Sequence, residues 1–239
     1  MKISVALDIF TIAPALALWL LRIDNAWIYR QMAERLGLKG EGSVSGAVMV
    51  CRWESGKVEI SRRYREKIAA VAREVNWPLN QYTGLFLQFN QIADKIDDRE
   101  VTYTHSLKVA QYAEAIGRRM IRHLVRETLK QFPLDFGGME PKVLRKKILA
   151  MLVKSAMFHD IGKVWISNRI IRKAGPLTES QKQKMRSHAI LTDFIISSLL
   201  PMETGIAKVA SMHHELLNGM GYPKGLTAGQ IPRVNPFFS

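Results

Sequence analysis

Five of the six histidines stand in distinctive contexts: His105 in "YTHSLKVA", His159 in "MFHDIGK", His188 in "MRSHAIL", and His213 with His214 in "MHHELLNG". The sixth, His123, sits among Arg118, Arg119, Arg122 and Arg126 and reads as solvated surface. Imidazoles and carboxylates drawn from separate segments suit a borderline metal such as iron, manganese or zinc, and Asp160 beside His159 offers an oxygen able to bridge two ions. Two ions about 4 Å apart can clamp a phosphodiester and turn a bridging water into a hydroxide nucleophile near neutral pH. Taken singly, His105 or His188 on an amphipathic helix is an ordinary core or surface side chain, and a His-Asp dipeptide arises readily by chance. The ordered set carries the signal.

Positioning that set requires helices. "HSLKVAQYAEAIGRRMIRHLVRETLKQF" places Leu107, Val109, Ala110, Ala113, Ile116, Met120 and Leu124 on one broad apolar stripe. "KVLRKKILAMLVKSAMFHDIG" and "TDFIISSLL" continue the pattern, and no internal repeat or periodic strand series interrupts it. The expectation is an all-α protein. With 47% hydrophobic and 23% charged residues, the 239-residue chain can bury one large core or two small ones. A single cysteine, Cys51, excludes an intramolecular disulfide framework and fits a reducing compartment, with the cytoplasm as the expectation. The formal charge of +14 is uneven. Residues 1–100 hold 14 basic and 12 acidic side chains (+2), and residues 101–239 hold 21 and 9 (+12), a field that attracts nucleotides, nucleic acid or anionic lipid.

The organisation reads as an N-terminal helical domain over 1–82, a connecting helix or linker over 83–100, and a second helical domain over 101–239. "IFTIAPALALWLL", residues 9–21, falls short of the about 20 apolar residues of a membrane span and contains Pro14. It is expected to be a buried or docking helix, with membrane association as the alternative. "DNAWIYRQMAERLGL" and "SRRYREKIAAVAREVNWP" carry helical periods, with Gly37 as a C-terminal cap of the first, and Ser61 and Pro78 as the start and stop of the second. Between them, "VCRWESGKVEIS" read bare is a helix end or a hairpin turning at Ser55 and Gly56. Residues 33–37, "RWESGK" at 52–57 and the following "EKIAAVA" together resemble the helix-turn-helix domain of phage repressors, with about seven extra residues between Gly37 and Arg52. That resemblance implies DNA contacts near Arg52, Trp53 and Lys57.

His105, the run His159-Asp160-Ile161-Gly162-Lys163, His188 and the His213-His214 pair, in that order, resemble the motifs of the HD superfamily of metal-dependent phosphohydrolases. "NGMGYP" after the pair is similar to the HD-GYP branch, and the likeness spans about residues 97–233, including "AGPLTESQKQKMRSHAIL" between motifs. The resemblance implies an all-helical phosphodiesterase that opens cyclic di-GMP with a di-iron or di-manganese centre. Carried over by motif, His105, His159, Asp160, His188, His213 and His214 become metal ligands. Asp160 and Lys163 become the catalytic pair, Lys163 holding a substrate phosphate as a compact cation. Asn218, Gly219, Gly221, Tyr222 and Pro223 line the substrate loop, where the glycines admit a close approach of backbone to ligand.

Three departures accompany the likeness. Val101 stands where members with a third metal have a glutamate, so two metals are expected. Asn218 replaces the usual aspartate before the first loop glycine, and the final aspartate ligand that follows "IP" in the family has no counterpart in "RVNPFFS". The expected function is therefore metal-dependent hydrolysis of a cyclic dinucleotide by a two-metal centre and bridging hydroxide. The alternative is a catalytically impaired HD-GYP protein acting as a nucleotide-sensing DNA-binding regulator or signalling interaction module. Expected partners are the cyclic dinucleotide, with DNA, diguanylate-cyclase-type proteins and a second copy of the chain as further candidates.

Overall fold

The computed structural model describes residues 14–25, 27–38, 45–54, 57–77, 82, 85, 88, 92, 99–131, 138–201 and 203–231. The chain divides into two compact units, Met1–Phe86 and Leu87–Ser239. Among the described residues the regular structure is helical, and the β-pairing is one isolated antiparallel bridge, Asn218 with Thr227. None of the described helices is long and apolar enough to cross a membrane.

In the first unit, α1 (Pro14–Asp24) begins with a proline, whose missing N–H costs nothing in a first turn. Leu16 through Ile23 are all buried, so the apolar run beyond residue 13 is a core helix, while residues 9–13 lie outside the described residues. Arg22 is buried with it. Its Nε and Nη2 donate to the two Glu54 carboxylate oxygens at 2.7 and 2.9 Å, and its guanidinium lies 4.3 Å from the Tyr29 ring centroid. α2 (Tyr29–Arg35) ends at Gly37, whose φ of +64° suits a residue without Cβ.

α3 (Gly46–Glu54) settles "VMVCRWE" as helix rather than hairpin, and Ser55 and Gly56 lie outside the described residues. Trp53 corrects one expectation. Instead of facing DNA it is 4% exposed, with its ring 4.8 Å from that of Tyr64. An indole with a partner ring in the interior is worth more as core than as a surface reader. Arg52 and Lys57 are exposed. α4 (Arg62–Glu74) starts after Ser61, whose hydroxyl makes no capping bond, and stops before Pro78, where Asn76 turns the chain at φ +49°.

In the second unit, α5 (Arg99–Gln131) and α6 (Pro141–Phe158) run antiparallel: His105 meets His159 at one end, and Gly117 lies against Leu149 and Leu152 further along. A Cβ at Gly117 would stand 2.8 Å from Leu152 Cδ2, so the glycine sets how closely the helices cross. Leu107, Ala110, Ala113 and Leu124 are buried as the stripe predicts, whereas Ile116 is exposed and Gly117 takes the inward place. α6 is capped by Glu140, whose carboxylate accepts from the Val143 N–H at 3.0 Å, and its second half is buried throughout.

The chain then makes a 3-10 turn over Ile161–Trp165 and a short helix α7 (Asn168–Ile171). α8 (Glu179–Arg186) opens with a reciprocal Thr178–Gln181 capping box. α9 (His188–Leu199) and α10 (Thr204–Ser211) pack together, α9 against the 3-10 turn and α10 against α6. Every candidate metal-ligating histidine therefore stands at or near a helix end, where side chains from several helices meet.

Candidate metal centre

His159, His188 and His213 obey one local rule. In each, Nδ1 donates to the carbonyl three residues upstream: Ala156 at 2.7 Å, Met185 at 2.6 Å and Ala210 at 2.8 Å. A carbonyl has no proton to give, so Nδ1 carries the hydrogen and Nε2 of each neutral ring is a bare acceptor. Those acceptors point at one another. His188 Nε2 lies 3.1 Å from His213 Nε2, and His105 Nε2 lies 3.4 Å from His159 Nε2. Asp160 sits among them, with Oδ1 3.4 Å from His188 Nε2 and 3.6 Å from His213 Nε2, and Oδ2 3.3 Å from His159 Nε2.

Lone pairs this close repel unless a cation stands between them, and His159, His188 and His213 are all buried from water that could relieve them. The cation is either a proton or a metal ion. Burial argues against the proton at neutral pH: it lowers His188 to about 4, although the Met185 bond and the Asp160 charge pull the other way. Burial, with His213 and His188 nearby, lowers His214 to about 3. His105 is also lowered, by burial and then by His159. Burial on its own would raise the Asp160 carboxyl, but the neighbouring His159 and His213 and the charge of Lys163 outweigh it and hold the group well below the usual carboxylate range.

The donor atoms fall into two sets, each with all its atoms within 4.8 Å of one another: Asp160, His188, His213 and His214, and His105, His159 and Asp160. Asp160 belongs to both. Imidazole nitrogens oriented by backbone carbonyls, with a carboxylate common to both sets, are donors suited to divalent metal. Lys163, one turn on, donates to Asp160 Oδ2 at 2.7 Å. Its ammonium is partly exposed, a compact cation beside the donors.

The stretch after His214 closes one side. The Tyr222 ring stacks on the His214 ring, 4.4 Å between centroids at 24°, and the Tyr222 N–H donates to the His214 carbonyl at 3.1 Å. The Arg186 guanidinium lies over the Tyr222 ring, 5.4 Å from its centroid. Burial raises the Tyr222 hydroxyl pKa, so the ring is neutral. Glu215 is almost fully buried and accepts from the Lys224 and Leu226 N–H groups, both at 2.7 Å. Gly221 is pressed against the Leu216 backbone nitrogen and Glu215 Cα so closely that a Cβ has no room.

Comparison with known proteins agrees with this geometry. Residues 142–234 match the HD domain family. That stretch, from α6 to past the Tyr222 turn, is similar to this family. The chain is 32% identical over 139 residues, 57% of this chain and 25% of the relative, to a Vibrio cholerae protein named 3'3'-cGAMP-specific phosphodiesterase 3. It is 40% identical over 79 residues, 33% of this chain and 22% of the relative, to a Thermotoga maritima cyclic di-GMP phosphodiesterase. A probable cyclic di-GMP phosphodiesterase of Vibrio cholerae is 36% identical over 97 residues, 38% of this chain and 22% of the relative. The chain thus spans about a quarter of the length of these relatives.

All six ligand candidates read from the sequence lie in the donor cluster: five fall within the matched residues 142–234, and His105, well before them in the chain, lies against His159. The loop residues divide. Tyr222 meets His214, and Gly221 meets the Glu215 backbone. Asn218 is exposed, and its Oδ1 accepts the Met220 N–H at 2.9 Å, shaping the turn in which Gly219 takes φ +76°. Pro223 follows Tyr222 through a cis peptide. Sequence reasoning assigned no role to Glu215 or Arg186. A glutamate flanked by candidate ligand histidines and a glycine-rich turn was the available sign for Glu215; nothing in the sequence points Arg186 at Tyr222, 36 positions away.

Proposed function

We propose that this chain is a metal-dependent phosphodiesterase of the HD-GYP branch, hydrolysing a cyclic dinucleotide with cyclic di-GMP as the first substrate to test. The observation that carries this reading is the convergence of bare Nε2 acceptors on a shared, ionised Asp160. His105, His159 and Asp160 would hold one divalent ion, and Asp160, His188, His213 and His214 the other. Iron or manganese fits a set of several imidazoles and one carboxylate. When bound, such a pair supplies Lewis-acid charge to a phosphodiester and eases deprotonation of water.

The protein's own groups do the positioning. Lys163 holds Asp160 with one N–H and has two more to offer a phosphate oxygen at the rim. Tyr222 keeps the His214 ring flat against the loop. The +12 charge of residues 101–239 attracts a substrate with two phosphates. The names of the relatives support the substrate class, and the domain boundaries 1–82, 83–100 and 101–239 are part of the same proposal.

The test is anaerobic purification, elemental analysis for iron and manganese, and turnover of cyclic di-GMP and 3'3'-cGAMP beside a His159→Ala, Asp160→Ala double variant. About two equivalents of metal, with turnover abolished in the variant, is the expected result. Metal-loaded protein that leaves every cyclic dinucleotide intact overturns the catalytic reading and favours a nucleotide-sensing role.

A further inference from the structure

We propose that Thr192 is a positioning residue for the metal centre, one hydroxyl that fixes the distance between Asp160 and the helix bearing His188. The inference rests on the two-ion reading of the site. Thr192 follows His188 by four positions on α9, so the two side chains share a helix face. The Thr192 side chain is fully buried. Its Oγ1 donates to the His159 carbonyl at 2.9 Å and accepts the Gly162 N–H at 3.0 Å.

Those two backbone groups bracket Asp160. The His159 carbonyl belongs to the last turn of α6, where the helix offers no partner of its own, and the Gly162 N–H opens the 3-10 turn. A single oxygen therefore ties both ends of the turn that presents the shared carboxylate. Gly162 makes the tie short: its α-carbon lies so close to the His188 carbonyl and the Thr192 nitrogen that any Cβ would collide with α9 backbone. Backbone against backbone on one side and hydroxyl against backbone on the other hold the Asp160 turn against the helix that carries His188. Across that junction Asp160 Oδ1 lies 3.4 Å from His188 Nε2.

Threonine is required for this and an isostere is not enough. Valine matches the shape but neither donates nor accepts, so it leaves a buried carbonyl and a buried N–H without their partner and removes the tie. Serine keeps the hydroxyl. A role confined to packing predicts the opposite order, with valine tolerated and serine the poorer substitute.

The experiment compares wild type, Thr192→Ser and Thr192→Val as full-length protein purified anaerobically. It measures manganese per chain by elemental analysis and manganese affinity by calorimetric titration. The expected result is wild-type stoichiometry for Thr192→Ser, and for Thr192→Val a loss of affinity on the order of 10-fold or more at the His188 side, the range seen when groups supporting a metal ligand are removed. Thr192→Val that folds and binds manganese like wild type overturns the proposal. Should that variant not fold, hydrogen exchange at the Gly162 amide of the wild-type chain decides: strong protection supports the tie and rapid exchange overturns it. Wild type that binds no metal sinks the two-ion reading on which the inference rests, whereas wild type that binds metal without hydrolysing a cyclic dinucleotide sinks only the proposed activity.

Discussion

His188 and His214 make the centre acid-sensitive, and the sign follows from where each proton goes. Both rings prefer the neutral form in the folded chain, with pKa values lowered by burial to about 4 and about 3 from an ordinary 6.5. In the unfolded chain they take up protons as pH falls through 6.5; in the folded chain they resist until about 4 and about 3. Over that window the unfolded state binds more protons, so stability declines as pH falls from 6.5 towards 4 and is unaffected by these groups above it. Asp160 acts in the same direction but lower: its stabilisation is present above the ordinary carboxylate pKa and is lost as pH falls beyond it. Metal-free protein in chelator should therefore show a constant melting temperature from pH 8 to 6.5 and a steady fall from 6.5 to 4.5 by scanning calorimetry. A flat profile to pH 4.5 would contradict the burial argument for both rings.

At the level of the elements, Glu215 shows how a loop is built by one buried acid. Its two carboxylate oxygens each take a backbone N–H, from Lys224 and from Leu226, and so pin the stretch that carries Tyr222 against His214. In Glu215→Gln one oxygen becomes an NH2 that faces a donor, so one bond is lost and a repulsion replaces it. A hydrogen bond to a charged group contributes about 1.5–3 kcal/mol, which corresponds to roughly ten- to a hundred-fold faster amide exchange at Lys224 or Leu226. Unchanged exchange at both amides would show that the loop is held by other contacts. The sequence made the helices and the candidate ligand histidines legible, because apolar period and the order of motifs are local properties of the chain. Leu107, Ala110, Ala113 and Leu124 followed the stripe; Ile116 did not, because the stripe names a face but not the point where Gly117 lets α6 approach. Trp53 was misplaced for a related reason: a motif marks a residue type, while the Tyr64 ring that draws it inward comes from the next helix. The carbonyls that orient the three central histidines, and the hydroxyl of Thr192, are equally invisible without the third dimension.

For the whole molecule, the division at Phe86 and Leu87 separates two sets of interactions that can be perturbed one at a time. All described ligand candidates lie in the second unit. The first unit is organised around Arg22 and Glu54, a bidentate pair whose side chains are 1% and 2% exposed. A buried pair contributes little over a well-packed apolar substitute, yet removing one partner leaves a charge in the interior and typically costs about 3–5 kcal/mol. Arg22→Met should thus unfold the first unit at much lower denaturant, and Arg22→Met with Glu54→Leu should recover most of the loss. Four of the five tryptophans, Trp19, Trp27, Trp53 and Trp77, belong to the first unit, so tryptophan fluorescence reports on it, while bound manganese reports on the second. The expected outcome is a fluorescence midpoint that falls in the single variant and returns in the double, with manganese content equal to wild type in both. Loss of manganese in step with the fluorescence midpoint would show that the second unit needs the first to keep its donors together. That coupling would make the N-terminal helices part of how the metal centre is maintained rather than a separate attachment to it.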